Sequence, residues 1–267
     1  MTRDGIPAVG LGTYENTDPE QCAASVATAL DAGYRHVDTA QGYENEAFVG
    51  EGLARADVAR EEVFVATKVT PDNLAYDDVL SSTEASLDRL GVDAVDLLYV
   101  HWPIRSYDAE DTLAAFDDLY DDGVVRNVGL SNFTPDLLDE AIDVLDAPVA
   151  AHQVEMHPLL QQEELLGYAR DHGHRLVAYS PLAKGTVAEV PELADVAEKH
   201  DATAAQVSLA WLREKGAVAI PKATGEAHIR ENLASRDLEL DADDVAAIDA
   251  IDRTERVVDP DVAPWNR

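Results

Sequence analysis

What most constrains this chain is a recurring unit: a short β-branched run, a turn, then an amphipathic helical stretch. Strand character falls at Tyr34–Asp38, Val63–Lys68, Val95–His101, Val125–Ser131, Ala150–Glu155, Arg175–Ser180 and Val218–Lys222, with a weaker run at Ser235–Leu240. Helical periodicity fills the intervals at Pro19–Ala32, Asn45–Ala56, Tyr76–Leu90, Ala109–Asp122, Pro135–Val144, Gln162–His172, Val190–His200, Ala204–Lys215 and Glu226–Ala234. Thr17 or Asp18 before Pro19, Thr134 before Pro135, and Gly173 after His172 punctuate these helices. Near-continuous apolar strands such as Val95–Val100 read as parallel strands buried on both faces. Eight such units, with no linker or composition break, predict an α/β fold. Its form is a (β/α)8 TIM barrel occupying 1–267 as one domain. A doubly wound sheet fits less well, because its phosphate loop is missing: Gly10-Leu-Gly12 lacks a preceding strand and a third glycine. That stretch is expected to form an N-terminal β-hairpin or turn, and an extra helix is expected at the C-terminal end.

Charge narrows the partners. There are 53 acidic residues against 20 basic ones, a formal net charge of −33. No basic run offsets it, so a nucleic-acid or membrane-surface role is disfavoured. With one cysteine, Cys22, neither an internal disulfide nor a thiolate cluster can form. The first residues lack an apolar leader core, and no apolar run approaches the ~18 residues of a membrane span. A cytoplasmic location is expected. Among the acids Asp (32) exceeds Glu (21), and among the bases Arg (15) exceeds Lys (5). Short hydrated carboxylates with little lysine fit a halophilic protein, whose self-repulsion is tolerable only under strong screening. The five lysines, Lys68, Lys184, Lys199, Lys215 and Lys222, therefore each need a reason.

In a barrel the chemistry sits at the C-terminal strand ends. Asp38 ends the first predicted strand, with Tyr43 just beyond; Lys68 ends the second and His101 the third. Singly, each has an ordinary reading as a cap, surface ring, strand-end charge or core imidazole. Together they converge on one rim. A phenol with a pKa of ~10 is a poor acid near neutrality, and an adjacent ammonium is expected to lower that value while Asp38 holds the lysine. Tyr43 then donates a proton to a developing alkoxide and His101 orients the carbonyl. A proton donor without a nucleophile suits carbonyl reduction, with the hydride supplied by a cofactor.

Gly33–Glu46, Ala66-Thr-Lys68, Tyr99-Val-His101-Trp-Pro and Val128–Phe133 resemble successive signatures of the aldo-keto reductases. The resemblance continues through Gln153–Pro158, Tyr179–Leu182 and Ile220-Pro-Lys222 to Glu231-Asn232, spanning the chain in order. It implies a (β/α)8 barrel with Asp38, Tyr43, Lys68 and His101 as catalytic tetrad. It further implies that Ser131, Asn132 and Gln153 bond the nicotinamide carboxamide and that Tyr179 stacks on the ring. Ser180, Leu182 and Lys184, within Ser180–Gly185, would follow the pyrophosphate. Lys222, Ala223, Thr224, His228, Glu231 and Asn232 would meet the adenosine end. Lys199 and Lys215 are left near helix C-termini, where a cation complements the dipole.

Two departures matter. Many members carry serine or threonine after the Ile-Pro-Lys segment and an arginine five residues on; here these are Ala223 and His228, so the bidentate fork for a 2′-phosphate is missing. NADPH is the expected cofactor, with NADH admitted as a second. His152 stands where asparagine is common, and it and the pairs His152/His157 and His172/His174 are read as structural, with no metal site expected. A short loop after His101 implies an open pocket, lined by Tyr14, Trp102 and Trp265. The ending Glu255–Trp265 is similar to the diketogluconate reductase branch. Methylglyoxal, other 2-ketoaldehydes, keto-sugar acids and aromatic aldehydes follow as substrates of a monomeric NADP-dependent oxidoreductase. The alternatives are a sugar or polyol dehydrogenase working oxidatively and a cofactor-binding regulatory subunit. The charge reading makes its own prediction. The thermal midpoint should climb between about 0.1 M and about 1 M potassium chloride, as the screening length falls from ~10 Å to ~3 Å. A midpoint indifferent to salt removes the halophilic reading.

Overall fold

The computed structural model describes residues 5–266. Its strands are β1 (Leu11–Gly12), β2 (His36–Asp38), β3 (Phe64–Val69), β4 (Leu97–Val100), β5 (Val128–Ser131), β6 (Val149–Glu155), β7 (Arg175–Tyr179) and β8 (Val218–Ala219). They pair in sequence order, every neighbour parallel. Parallel bridges Val9–Ala219 and Gly12–Lys222 then join the first strand to the last and close the barrel. The helices are α1 (Pro19–Ala32), α2 (Glu46–Arg55), α3 (Tyr76–Leu90), α4 (Ala109–Asp121), α5 (Pro135–Val144), α6 (Glu163–His172), α7 (Pro191–His200), α8 (Ala204–Glu214), α9 (Glu226–Ala234) and α10 (Ala242–Asp249). The last is the expected additional C-terminal helix.

Two expectations about the strands are corrected. Among the described residues Leu11–Gly12 is no arm of a hairpin; it pairs in parallel with Val37 and Asp38 and supplies the first barrel strand. Glycine is required there, since a Cβ on Gly12 would lie 2.6 Å from the Ile220 carbonyl oxygen. The run Ser235–Leu240 is not a strand. It makes one 3-10 turn (Ser235–Asp237), and Leu238 and Leu240 pack on the apolar layer beneath α7 and α8. Alternating leucines thus anchor an irregular segment without entering the sheet.

Local chemistry sets the helix ends. Asp18 accepts from the Gln21 amide at 2.8 Å with Pro19 in the first turn, and Gly173 closes α6 at φ 78°. Thr134 occupies the N-cap of α5 without a side-chain bond. Inside the barrel, Ala66, Leu97, Tyr99, Ala151, Val177 and Val218 form the filling. Gly129 leaves room for Tyr99, whose ring would lie 2.5 Å from a Cβ at that position. Outside, Val, Leu and Ala from both strands and helices make the larger apolar layers. No helix among the described residues is long and apolar enough to cross a membrane.

Lys199 and Lys215 have stronger reasons than a dipole. Lys199 binds Asp241 and Asp244 at 2.6 and 2.7 Å, and Lys215 binds Asp249 at 2.7 Å, so both tie α10 to the barrel wall. Histidine burial carries a cost at low pH. Burial lowers His36 and His174 to about 4 and His152 to about 3 from an ordinary 6.5. Below pH 6.5 the unfolded chain binds these protons and the folded chain does not. Stability therefore falls as pH drops from 6.5 towards 4, by about 1.4 kcal/mol per pH unit per histidine. The denaturation slope against pH in that window should be shallower in His152→Gln, whatever the variant's absolute stability; an unchanged slope refutes the assignment.

Candidate active site

The C-terminal strand ends gather the predicted polar residues around a cavity of about 700 Å³. Its wall includes Asp38, Tyr43, His101, Ser131, Asn132, Gln153 and Tyr179. Barrel register brings them together: Asp38 pairs beside Ala66 on β3, two residues before Lys68, and Ser131 pairs with Gln153. Tyr43 is delivered by the 3-10 turn Gln41–Tyr43 beyond β2.

Lys68 is fully buried, and the three N–H donors of its ammonium meet three acceptors. It contacts Asp38 Oδ1 in a short ion pair, the Thr39 carbonyl at 2.7 Å and the Tyr43 hydroxyl oxygen at 3.4 Å. Because Lys68 donates to the Tyr43 oxygen, the phenol's own hydrogen is free to point into the cavity. The His101 ring meets Tyr43 edge-on, centroids 5.7 Å apart. The other Asp38 oxygen accepts from Gln153 Nε2 at 2.8 Å. Ser131 Oγ donates to the Gln153 carbonyl at 3.0 Å. Asn132 Nδ2 donates to the His101 carbonyl and to Ser131 Oγ, and Asn132 Oδ1 accepts from Tyr179 at 2.9 Å.

Electrostatics correct one expectation. The Tyr43 phenol is raised well above 10, not lowered: burial dominates, and Asp38 and Tyr14 add to it. Asp38 cancels the ammonium's field at the phenol. Burial, then Lys68, holds His101 well below 6.5, a neutral imidazole. Burial also lowers Lys68, against the opposing pull of Asp38.

The segment after β7 is bent in an uncommon way. Ser180, Ala183 and Lys184 have φ of 47°, 46° and 52°, and Gly185 has 102°. Left-handed backbone at three non-glycine residues costs on the order of 1 kcal/mol each. Ser208 on α8 supports the bend by donating to the Pro181 carbonyl at 2.7 Å. Ser180, Leu182 and Lys184 line the cavity, as does Lys222.

Further along, Ala223, Thr224, His228, Glu231 and Asn232 lie off the cavity wall, on the turn after β8 and on α9. His228 is exposed, 3.3 Å from Glu231, while Arg230 is turned to Glu226 at 2.9 Å. Tyr14 and Trp102 line the cavity. Trp265 does not: it packs behind Trp102, centroids 5.5 Å apart. Wall residues missed from sequence include Thr13, Ile104, Val258 and Pro260; the last two lie in a tail that carries no periodic signal.

A dinucleotide suits this donor set. Of the five lysines, Lys68, Lys199 and Lys215 have carboxylate partners, whereas Lys184 and Lys222 have none among the described residues, and both edge the cavity. Two cations without carboxylate partners at the cavity edge, in a chain of net charge −33, have the chemistry to meet an anion.

The model of the Aldo/keto reductase family matches residues 8–253, and the chain belongs to that family. It is 39% identical over 266 residues to the methylglyoxal reductase DkgB of Escherichia coli O157:H7, covering 98% of this chain and 99% of the relative. A crystal structure provisionally described as a 2,5-diketo-D-gluconic acid reductase B superimposes with a TM-score of 0.93 at 38% identity, over 97% of this chain and 93% of the other. A Bombyx mori aldo-keto reductase in complex with NADP gives 0.90 at 32% identity, over 96% and 92%. The protein is an oxidoreductase of carbonyl compounds.

The raised phenol and lowered imidazole fix the pH behaviour. With Tyr43 protonated and His101 neutral throughout, reductive turnover should be flat from about pH 6.5 to about pH 9. A pH–rate profile breaking near 6.5 in wild type, and not in His101→Asn, overturns this.

Proposed function

We propose that this protein reduces small polar aldehydes and ketones with NADPH, accepting NADH less well. Its substrates are 2-ketoaldehydes such as methylglyoxal, keto-sugar acids and aromatic aldehydes. The carrying observation is Lys68 donating to the Tyr43 oxygen at 3.4 Å, which leaves the Tyr43 hydroxyl, on the cavity wall, its own hydrogen to donate. The methylglyoxal reductase and diketogluconate reductase relatives support the substrate class, and the NADP complex supports the cofactor.

When bound, the nicotinamide supplies a hydride to the carbonyl carbon. The chain does the rest. Tyr43 gives its proton to the carbonyl oxygen as charge builds there, and Lys68 stabilises the phenolate left behind. Neutral His101 orients that oxygen by hydrogen bonding, at no cost of moving a charge. Asp38 and Thr39 hold Lys68 in place. Ser131, Asn132 and Gln153 would hold the carboxamide, and Tyr179 would lie against the ring. Lys184 and Lys222 would neutralise phosphate, with Lys222 a point charge rather than a fork. Thr224, Glu231 and Asn232 would meet the adenosine, Ala223 adding only apolar contact; exposed His228 is too loosely held to replace an arginine. We read the chain as one monomeric catalytic unit working inside the cell, where such cofactors are kept.

The test is methylglyoxal-dependent oxidation of NADPH and NADH by wild type and Tyr43→Phe. Deleting the acid should cost at least ~100-fold in kcat with cofactor affinity retained. Lys222→Ala should weaken NADPH binding more than NADH binding. Activity surviving in Tyr43→Phe discards the assigned acid. A wild type that binds cofactor and reduces no carbonyl discards the reductase reading.

A further inference from the structure

Among its described residues, the tail beyond α10 contains no strand, and only the short 3-10 turn Pro264–Asn266 is regular. Yet it supplies Val258 and Pro260 to the cavity wall. No sheet or long-helix bonding holds such a segment, so its placement must rest on a few specific contacts. Those next to the cavity-wall residues meet on one side chain. Glu155, the last residue of β6, is fully buried. Its Oε1 accepts from the Val257 amide at 2.7 Å and its Oε2 from the Val258 amide at 2.8 Å. Fully buried His157 brings Nε2 to 3.0 Å from the same Oε1, within hydrogen-bond reach. The Glu255 amide donates to the Leu159 carbonyl at 2.9 Å, and Arg253 donates to both Glu192 oxygens at 2.9 and 2.6 Å, holding the start of the segment.

From this anchor the tail reaches the substrate side. The Arg256 guanidinium lies 4.2 Å from the centroid of the Trp265 ring, and Trp265 backs Trp102 on the cavity wall. Asp259 fastens the turn by accepting from Trp265 Nε1 at 2.8 Å and Asn266 Nδ2 at 2.7 Å. A buried carboxylate is tolerable only when its hydrogen bonds are made. Two of the three hydrogen bonds at the Glu155 carboxyl come from the tail, so burial of Glu155 and closure of the tail are coupled.

We propose that Glu155, supported by His157, is a positioning residue: it latches residues 255–260 over the barrel mouth and thereby shapes the substrate end of the pocket. It touches neither substrate nor cofactor in this role. The latch sets which carbonyl compounds the wall grips, acting on KM more than on kcat. The proposal takes the reductase reading of the cavity as its frame.

Glu155→Gln keeps the shape but puts an amide donor where a backbone N–H already points. In hydrogen–deuterium exchange of the full chain, amides 255–260 should exchange at least ~10-fold faster, with β4 and β5 amides unchanged. In the same preparation KM for an aromatic aldehyde should rise at least ~5-fold, with kcat and NADPH affinity within about twofold of wild type. His157→Gln, which removes one partner and leaves the carboxylate, should move both readouts the same way and less far. It stands in should Glu155→Gln fail to fold. Unchanged exchange at 255–260 overturns the latch. Faster exchange with wild-type KM overturns the link to substrate. A collapse of kcat at unchanged KM places Glu155 at the reacting atoms instead. Wild type failing to reduce any carbonyl would sink the reductase reading separately, and the exchange readout does not depend on it.

Discussion

A fully buried ammonium at the mouth of the barrel organises the site. Lys68 would be too costly to bury without its ion pair to Asp38 and the Thr39 carbonyl. Removing one partner of such a pair typically costs about 3–5 kcal/mol, because the survivor is left charged and dry. The requirement spreads outward. Asp38 takes Gln153 as its second partner, the Gln153 carbonyl takes Ser131, and Ser131 takes Asn132, which reaches both the His101 carbonyl and Tyr179. One charge thus sets the side chains of β2, β3, β5, β6 and β7 in a single network. Burial is the main reason Tyr43 remains a protonated phenol, and Asp38 adds to it.

That network needs a closed barrel and a rigid rim. Closure comes at Gly12, where β1 approaches β8 too closely for any side chain. The rim after β7 carries the opposite signature, non-glycine residues held in left-handed conformations. Backbone strain of this kind persists only where the surroundings over-determine it, and the Ser208–Pro181 bond from α8 supplies part of that constraint. Ala183 has no polar side chain to favour its φ of 46°, so its conformation is imposed by the neighbours.

The same contrasts explain what the sequence made legible. Seven barrel strands were readable because buried parallel strands are apolar runs of adequate length, such as Leu97–Val100. Strand β1 was not: it is as short as β8, but its Leu11 lies between Gly10 and Gly12 with no apolar run around it, and its place is dictated by contacts with the last strand some 210 positions away. Ser235–Leu240 misled because two alternating leucines satisfy a strand pattern equally well when they pin a turn to helices. The polar rim was legible through its spacing: Asp38, Lys68 and His101 each end a recognisable strand. The direction of the Tyr43 shift was not, since it depends on burial and on which charge Lys68 already serves. Nor was the tail anchor, because Val257 and Glu155 are 102 positions apart.

The net charge of −33 poses a last physical question, since the ligands implied by this site are themselves anions. Long-range repulsion from the surface acids decays over a Debye length of ~8 Å at physiological ionic strength and faster in stronger salt. Inside the cavity the balance is local. Glu15 is acidic and exposed there, and Asp38 is consumed by Lys68, while Lys184 and Lys222 have no carboxylate partner among the described residues. Everywhere else the chain spends its lysines on pinning structure, with α10 held by Lys199 and Lys215. An acidic surface with its two unpaired lysines at one rim repels anions weakly at a distance and attracts them strongly at contact. Both lysines are exposed, so salt screens their attraction too, and what outlasts the screening is the short range of a direct contact, well inside the ~8 Å Debye length. Direct contact with an anionic cofactor should therefore lose less to added salt than the longer-range repulsion from the surface acids does.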